Sequence, residues 1–246
     1  AYQIYLDQAE AYNFNAMGCP SEDTVIKGLF SAFCERMRDS VGKKFQVVVW
    51  NHLADYEGVV SVKNGLADDK ESAALVPWVT GVIAGTAVNK SATNMTDDGE
   101  YKIDTEYTQT QPENGIKEGS FMFHVVDEKV NVLEDIDTFI SITDEKSPDF
   151  SSNQTIRVLD QIANDIAVLF GKKYIGKVPN DESGRLSLQN DIVKHHQQLQ
   201  TIRAVENFEP DNVTVTKGDT KKAVVVTDYV SSVNAMAQLY MTVWVE

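Results

Sequence analysis

The sequence predicts a layered α/β core over residues 1–146, followed by a smaller α+β domain over residues 147–246 with two main helices and a small β-sheet. Three observations predict this. Phe45-Gln46-Val47-Val48-Val49-Trp50 is a mostly apolar run of strand length, the pattern of a strand covered on both faces. Helical stretches flank it and a second short strand, an alternation that implies a layered unit. Past a polar stretch at 144–153 containing Pro148, two long helical patterns are followed by β-branched runs. At 246 residues the chain can bury one large core or two modest ones.

Residues 2–10 read as a short helix. Residues 13–17 lead to Gly18-Cys19-Pro20-Ser21, where Ser21 is placed to cap a helix reaching about Val41. Glu22 and Asp23 sit in its first turn, where the helix dipole favours acids, and Gly42 follows its end. Val59-Val60-Ser61-Val62 is a strand ended by Asn64-Gly65. A helix is expected from about Lys70 to Val88, with Pro77 near a turn or kink and Gly81-x-x-x-Gly85 lying tight against a sheet. Its apolar stretch, residues 73–88, is short for a membrane span. Residues 94–104 read as loop, and 112–117 as a short helix stopped by Gly119. Residues 121–126, 129–133 and 138–142 read as a three-stranded meander with Asp127-Glu128 at a hairpin tip.

In the C-terminal part Ser151-x-x-Gln154 matches a capping box. Ile156, Leu159, Ile162, Ala163, Ile166, Leu169 and Phe170 share one helix face, which is expected to be buried. On the next helix Leu188, Ile192, Leu199 and Ile202 form the apolar stripe, with His195 inside it and His196 beside it. Ser187, Asn190, Asp191, Lys194, Gln197, Gln198 and Thr201 form the opposite face. Strands are expected at 213–216 and 223–226. The closing run Leu239, Tyr240, Met241, Thr242, Val243, Trp244, Val245 is bulky on both faces. A strand of that kind at the end of a chain invites pairing with another subunit's sheet, the alternative being an ordinary internal strand.

There are 22 basic and 37 acidic residues, a net charge of −15. Residues 1–150 hold 12 against 26 (−14), and residues 151–246 hold 10 against 11 (−1). Such a field repels phosphate, which argues against nucleic acid and anionic membranes as partners. Cys19 and Cys34 are too few for a disulfide framework and lack metal-ligand spacing, so they read as reduced thiols. The imidazoles are His52, His124, His195 and His196, and no G-x-S-x-G elbow or other triad motif accompanies them. Neighbouring helical positions such as His195 and His196 point about 100° apart and do not converge on one ion. Neither a catalytic residue nor a metal or cofactor is expected. Asp68-Asp69, Asp97-Asp98 and Asp135-Ile136-Asp137 lack the Gly and terminal Glu of an EF-hand loop and read as solvated acidic surface.

One resemblance spans essentially the whole chain. Its segments are Ala11-Tyr12-Asn13-Phe14-Asn15-Ala16-Met17, residues 55–65 (Asp55 to Gly65), Trp78-Val79-Thr80-Gly81-Val82-Ile83-Ala84-Gly85, Ser91-Ala92-Thr93-Asn94 and Asp135-Ile136-Asp137-Thr138. Two helices and a Gly-bearing turn at 174–180 follow, then the closing run. In that order the chain resembles contractile phage tail sheath proteins, including those of defective prophages and tail-like bacteriocins. The resemblance implies a structural subunit with a subtilisin-like core that lacks a catalytic triad. It also implies assembly in the bacterial host cytoplasm into six-membered rings stacked helically around a tail tube. The tail tube, baseplate and tail terminator proteins would be partners, and contraction would drive the tube through a cell envelope. Terminal arms of neighbouring subunits would add strands to the C-terminal sheet, and this domain would lie nearest the tube. The polar face of its second helix, with Lys194 near the centre and Gln198 one turn on, is then expected to approach the tube, the alternative being plain solvation. The chain starts at Ala1 and reads as lacking the family's N-terminal arm. A serine hydrolase of α/β fold and a non-contractile tube or capsid component are the alternatives.

Overall fold

The computed structural model describes residues 1–68 and 71–245. Asp69, Lys70 and Glu246 lie outside the described residues; the first two figure above in an acidic pair and as a helix start.

The centre is a parallel sheet in which β1 (Ala16–Cys19), β2 (Gln46–Trp50), β3 (Val59–Val62) and β4 (Ser120–Phe121) lie side by side in chain order. All of β3 and all of β2 except Trp50 are buried, because alternate side chains enter two covered faces. On one face Val47 and Val49 meet Leu6 of α1 (Tyr2–Ala9), Phe30 and Phe33 of α2 (Thr24–Glu35), and Met37 of a wider π-type turn at Arg36–Val41. On the other, Val48, Val60 and Val62 meet Leu75, Val76, Val79 and Ile83 of α3 (Leu75–Gly85). The expected two-sided strand and the mixed α/β class are both observed.

Several local expectations are corrected. Strand β1 was not anticipated; its Gly18 faces α3 so closely that an added Cβ would stand 2.6 Å from Thr80 Oγ1. Gly81 and Gly85 instead face outward, with nothing within 4 Å of an added Cβ, so they are not the tight contact. Helix α2 is capped by Asp23, whose carboxylate accepts from the Val25 and Ile26 amides at 2.8 and 3.3 Å, and not by Ser21. Pro77 falls in the first turn of α3, where a missing N–H has no helical partner to lose.

Helix α4 (Thr110–Lys117) is followed by Gly119 at φ 76°. An added Cβ there would lie 2.8 Å from the Asp137 carbonyl, so the position needs glycine on both counts. The apolar run 121–126 divides between β4 and β5 (Phe123–Val126), which pairs with β6 (Lys129–Val132) around Asp127 and Glu128, both at positive φ. Residues 138–142 form no third strand. Their amides are taken elsewhere: Thr138 N donates to Val59 O, and Ile140 N and Ser141 N donate to the Asp55 carboxylate.

The C-terminal part contains α5 (Asn153–Lys173), α6 (Glu182–Thr201), β7 (Val205–Glu206), β8 (Val213–Lys217), β9 (Val224–Asp228) and β10 (Ser231–Ser232). Strands β8 and β9 form an antiparallel hairpin, and β7 pairs with β10. Val158, Leu188, Ile192, Leu199, Phe208 and Val213 form a core of their own. Helix α5 departs from the simple amphipathic pattern. Its Asn153, Gln154, Thr155 and Asp160 are buried along with Ile156 and Val158, whereas Leu159, Ile162, Ala163, Ile166, Leu169 and Phe170 are only half-buried. The capping box does not form: Ser152 is the cap residue, and the Gln154 side chain is used elsewhere.

Candidate inter-subunit surfaces

The polar side of α5 faces the α/β core. Arg38, placed by the π-type turn, makes a two-point pair with Asp160 at 2.6 and 2.8 Å, and its Nη1 also donates to Phe45 O. Burial alone would lower the Arg38 guanidinium, but the adjacent Asp160 carboxylate outweighs burial and holds it above its ordinary value. Asn153 accepts from Gln46 of β2 at 2.7 Å and donates to Asp135 at 3.0 Å. Asp135 also accepts from Arg157 at 2.8 Å and from the Ala92 amide at 2.9 Å.

Asp135 and Asp137 are therefore interior, not the solvated acidic surface expected of them; they are 3% and 0% exposed. Burial pushes the Asp137 carboxyl well above the usual carboxylate range. Both cysteines are also interior. Burial pushes the Cys19 thiol up to about 11 and the Cys34 thiol up to about 12, so both are held as neutral thiols.

On α6 the buried stripe runs through Leu188, Ile192, Val193, His196 and Leu199. The two histidines exchange their expected places, since His196 is fully buried against Phe208 while His195 is partly exposed, and Ile202 is exposed. A four-residue chain results: Asp165 to His195 Nε2 at 2.9 Å, Nδ1 to Nδ1 at 3.1 Å, and His196 Nε2 to Asp228 at 2.7 Å. If each Nε2–H donates to a carboxylate, the two Nδ1 atoms share one proton. The chain ties α5, α6 and β9 together. Among the described residues no serine, threonine or cysteine side chain is hydrogen-bonded to either ring.

Lys194 and Gln198 sit one turn apart on the outer face of α6, both exposed, together with exposed Asn190, Gln197 and Thr201. Beyond Ala235 the chain leaves the body of the molecule. Leu239, Tyr240, Met241, Val243, Trp244 and Val245 are 70–93% exposed, Thr242 is exposed too, and no strand forms among residues 239–245. The ordinary internal strand that was the alternative reading is thus not formed at residues 239–245. Exposed large side chains in such a run form an apolar patch of the kind that marks an interaction surface. Hairpin β8–β9 has no third strand among the described residues, and its Val225 and Val226 are exposed.

Two family models match almost end to end: the phage tail sheath protein central domain over residues 1–138 and the phage tail sheath C-terminal domain over residues 145–246. The chain is 28% identical to the phage-like element PBSX protein XkdK of Bacillus subtilis, covering 98% of this chain and 55% of that protein. A crystal structure of a sheath tail protein from Desulfitobacterium hafniense superposes with a TM-score of 0.86 at 37% identity, covering 98% of this chain and 58% of that one. The contracted helical sheath of the anti-feeding prophage shares the fold, with a TM-score of 0.72 at 14% identity, covering 98% of this chain and 72% of that one. The chain spans a little over half the length of the first two. With both domains matched and their fold reproduced, the chain belongs to the phage tail sheath family.

Proposed function

We propose that this chain is the central and C-terminal portion of a contractile tail sheath subunit, a mechanical polymer without enzymatic activity. Residues 1–146 form the α/β core and residues 147–246 the C-terminal domain. The subunits stack as six-membered rings around a tail tube, with the tube, baseplate and tail terminator proteins as partners. Particles of this kind are assembled in the bacterial host cytoplasm. Nucleic acid and membrane insertion play no part, in keeping with the acidic charge of residues 1–150. The exposed face of α6 around Lys194 and Gln198 approaches the tube.

The observation that carries this reading is the closing segment. Residues 239–245 are bulky, exposed and outside any strand, and among the described residues the β8–β9 hairpin has no third strand. Adding such a segment to a neighbour's hairpin satisfies the free backbone groups of both and buries Val243 and Trp244.

The test is deletion of residues 240–246 from the complete protein. Assembly is expected to be lost while residues 1–150 stay folded. The deletion removes several hydrogen bonds at once, each worth about 0.5–1.5 kcal/mol net, together with the buried apolar area. Sheaths of normal length in electron micrographs of the truncated protein would refute the connector role.

A further inference from the structure

We propose that Gln154 is the anchor of the C-terminal segment, the residue through which load on that segment enters the body of the subunit. This rests on the reading that residues 239–245 pair with a neighbour.

The chain is held up to Ala235 and released after it. Val233 N donates to Ala204 O at 3.0 Å. The Gln154 carboxamide then takes hold of both flanks of Asn234: its Nε2 donates to Val233 O at 2.9 Å, and its Oε1 accepts from Ala235 N at 2.9 Å. A parallel strand makes this pattern with its backbone, bonding the carbonyl before and the amide after the facing residue. Here one side chain substitutes for that strand. Thr155 Oγ1 adds a bond to Asn234 Oδ1 at 3.1 Å. Gln154 itself is 2% exposed, so the clamp reaches from inside the body to a segment whose Asn234 and Ala235 are already exposed. One residue beyond the clamp, Met236 is fully exposed.

The other end of the connection is equally definite. Asn153, the adjacent residue, binds Gln46 of β2 and Asp135 with its side chain, and its amide donates to Asp135 O at 3.0 Å. Two consecutive amide side chains at the start of α5 thus join the departing segment to the central parallel sheet. This placement also accounts for a buried glutamine at the start of a helix whose capping box does not form.

The test uses Gln154→Leu, which keeps the size and removes both bonds, and Ala235→Pro, which removes the amide that Gln154 Oε1 accepts without altering α5. In this chain Gln154→Leu should speed amide exchange at Ala235 by roughly tenfold, the factor expected from losing one or two hydrogen bonds. Exchange in β2 and α2 should be unchanged. In the complete protein, both variants should give short or broken sheaths in electron micrographs. If deletion of residues 240–246 stops assembly while both variants build sheaths of normal length that survive contraction, the segment is the connector and Gln154 is not its anchor. If that deletion leaves assembly intact, the connector reading fails and the anchor with it. Equal Ala235 exchange in wild type and Gln154→Leu would also overturn the proposal. Should Gln154→Leu not fold, Ala235→Pro decides alone.

Discussion

Asp137 is fully buried, with one carboxylate oxygen accepting from the Phe139 amide at 2.9 Å and the other without a partner. An acid whose folded value is raised keeps its proton longer in the fold than in the unfolded chain. Its favourable contribution is complete below the ordinary carboxylate value and is lost as pH rises towards the raised one. Asp137→Asn supplies a neutral side chain at every pH and retains the acceptor for Phe139. At about pH 7 the variant should melt a few degrees above wild type, roughly the effect of 1 kcal/mol in a protein of this size. The gap should close as pH falls to about 4, where the unfolded wild-type carboxyl is itself substantially protonated. A stability difference that does not change with pH would show that the fold does not raise the Asp137 carboxyl. Sequence pattern could not reveal this residue, because Asp135-Ile136-Asp137 has the same polar spacing on a surface as in an interior. The same limit applies to His195 and His196: helical periodicity placed both near the stripe, but which one is buried depends on where Phe208 and Asp228 pack.

Elements were most legible where burial has a simple period. The apolar run at 45–50 gave β2, and β-branched pairs gave β3, β8 and β9 close to their observed bounds. Strand β1 is four residues long and contains a glycine, too little pattern to see; the segment at 138–142 has strand composition, but its amides are taken by Val59 O and the Asp55 carboxylate. Helix α5 shows the deeper limit. Its periodicity correctly marks an apolar face, yet its polar side is also covered, by a core far away in sequence. The pair Arg38–Asp160 at that seam gives an element-scale prediction. Asp160→Ala leaves a buried guanidinium without its counter-charge and should cost about 3–5 kcal/mol, read as a lower urea midpoint. Combining Arg38→Met with Asp160→Leu removes both charges and should recover most of the loss, because no ion is then stranded. A double variant no more stable than Asp160→Ala would show that packing, not charge, is what the single change destroys.

For the molecule as a whole, charge and shape divide the work between its two parts. Nearly all the net negative charge lies in residues 1–150, while residues 151–246 are close to neutral and carry both proposed contact surfaces. The near-neutral part can approach another protein surface with little long-range repulsion. The sequence alone indicated the closing segment and the face bearing Lys194 and Gln198, because one is bulky on both sides and the other polar on a regular spacing. It could not indicate the Gln154 clamp, which joins residues about 80 positions apart. Lys194 is exposed on the middle of α6, so a contact it makes with the tube is an exposed charge contact, worth roughly 1 kcal/mol or less per pair. Repetition over every subunit of a sheath makes even that small term visible. Lys194→Glu in the complete protein should lower sheath occupancy on tubes at low salt. The deficit should shrink as ionic strength rises through about 0.1–0.15 M, where the screening length falls to about 8–10 Å. Equal occupancy of wild type and variant at low salt would refute the proposed contact at Lys194.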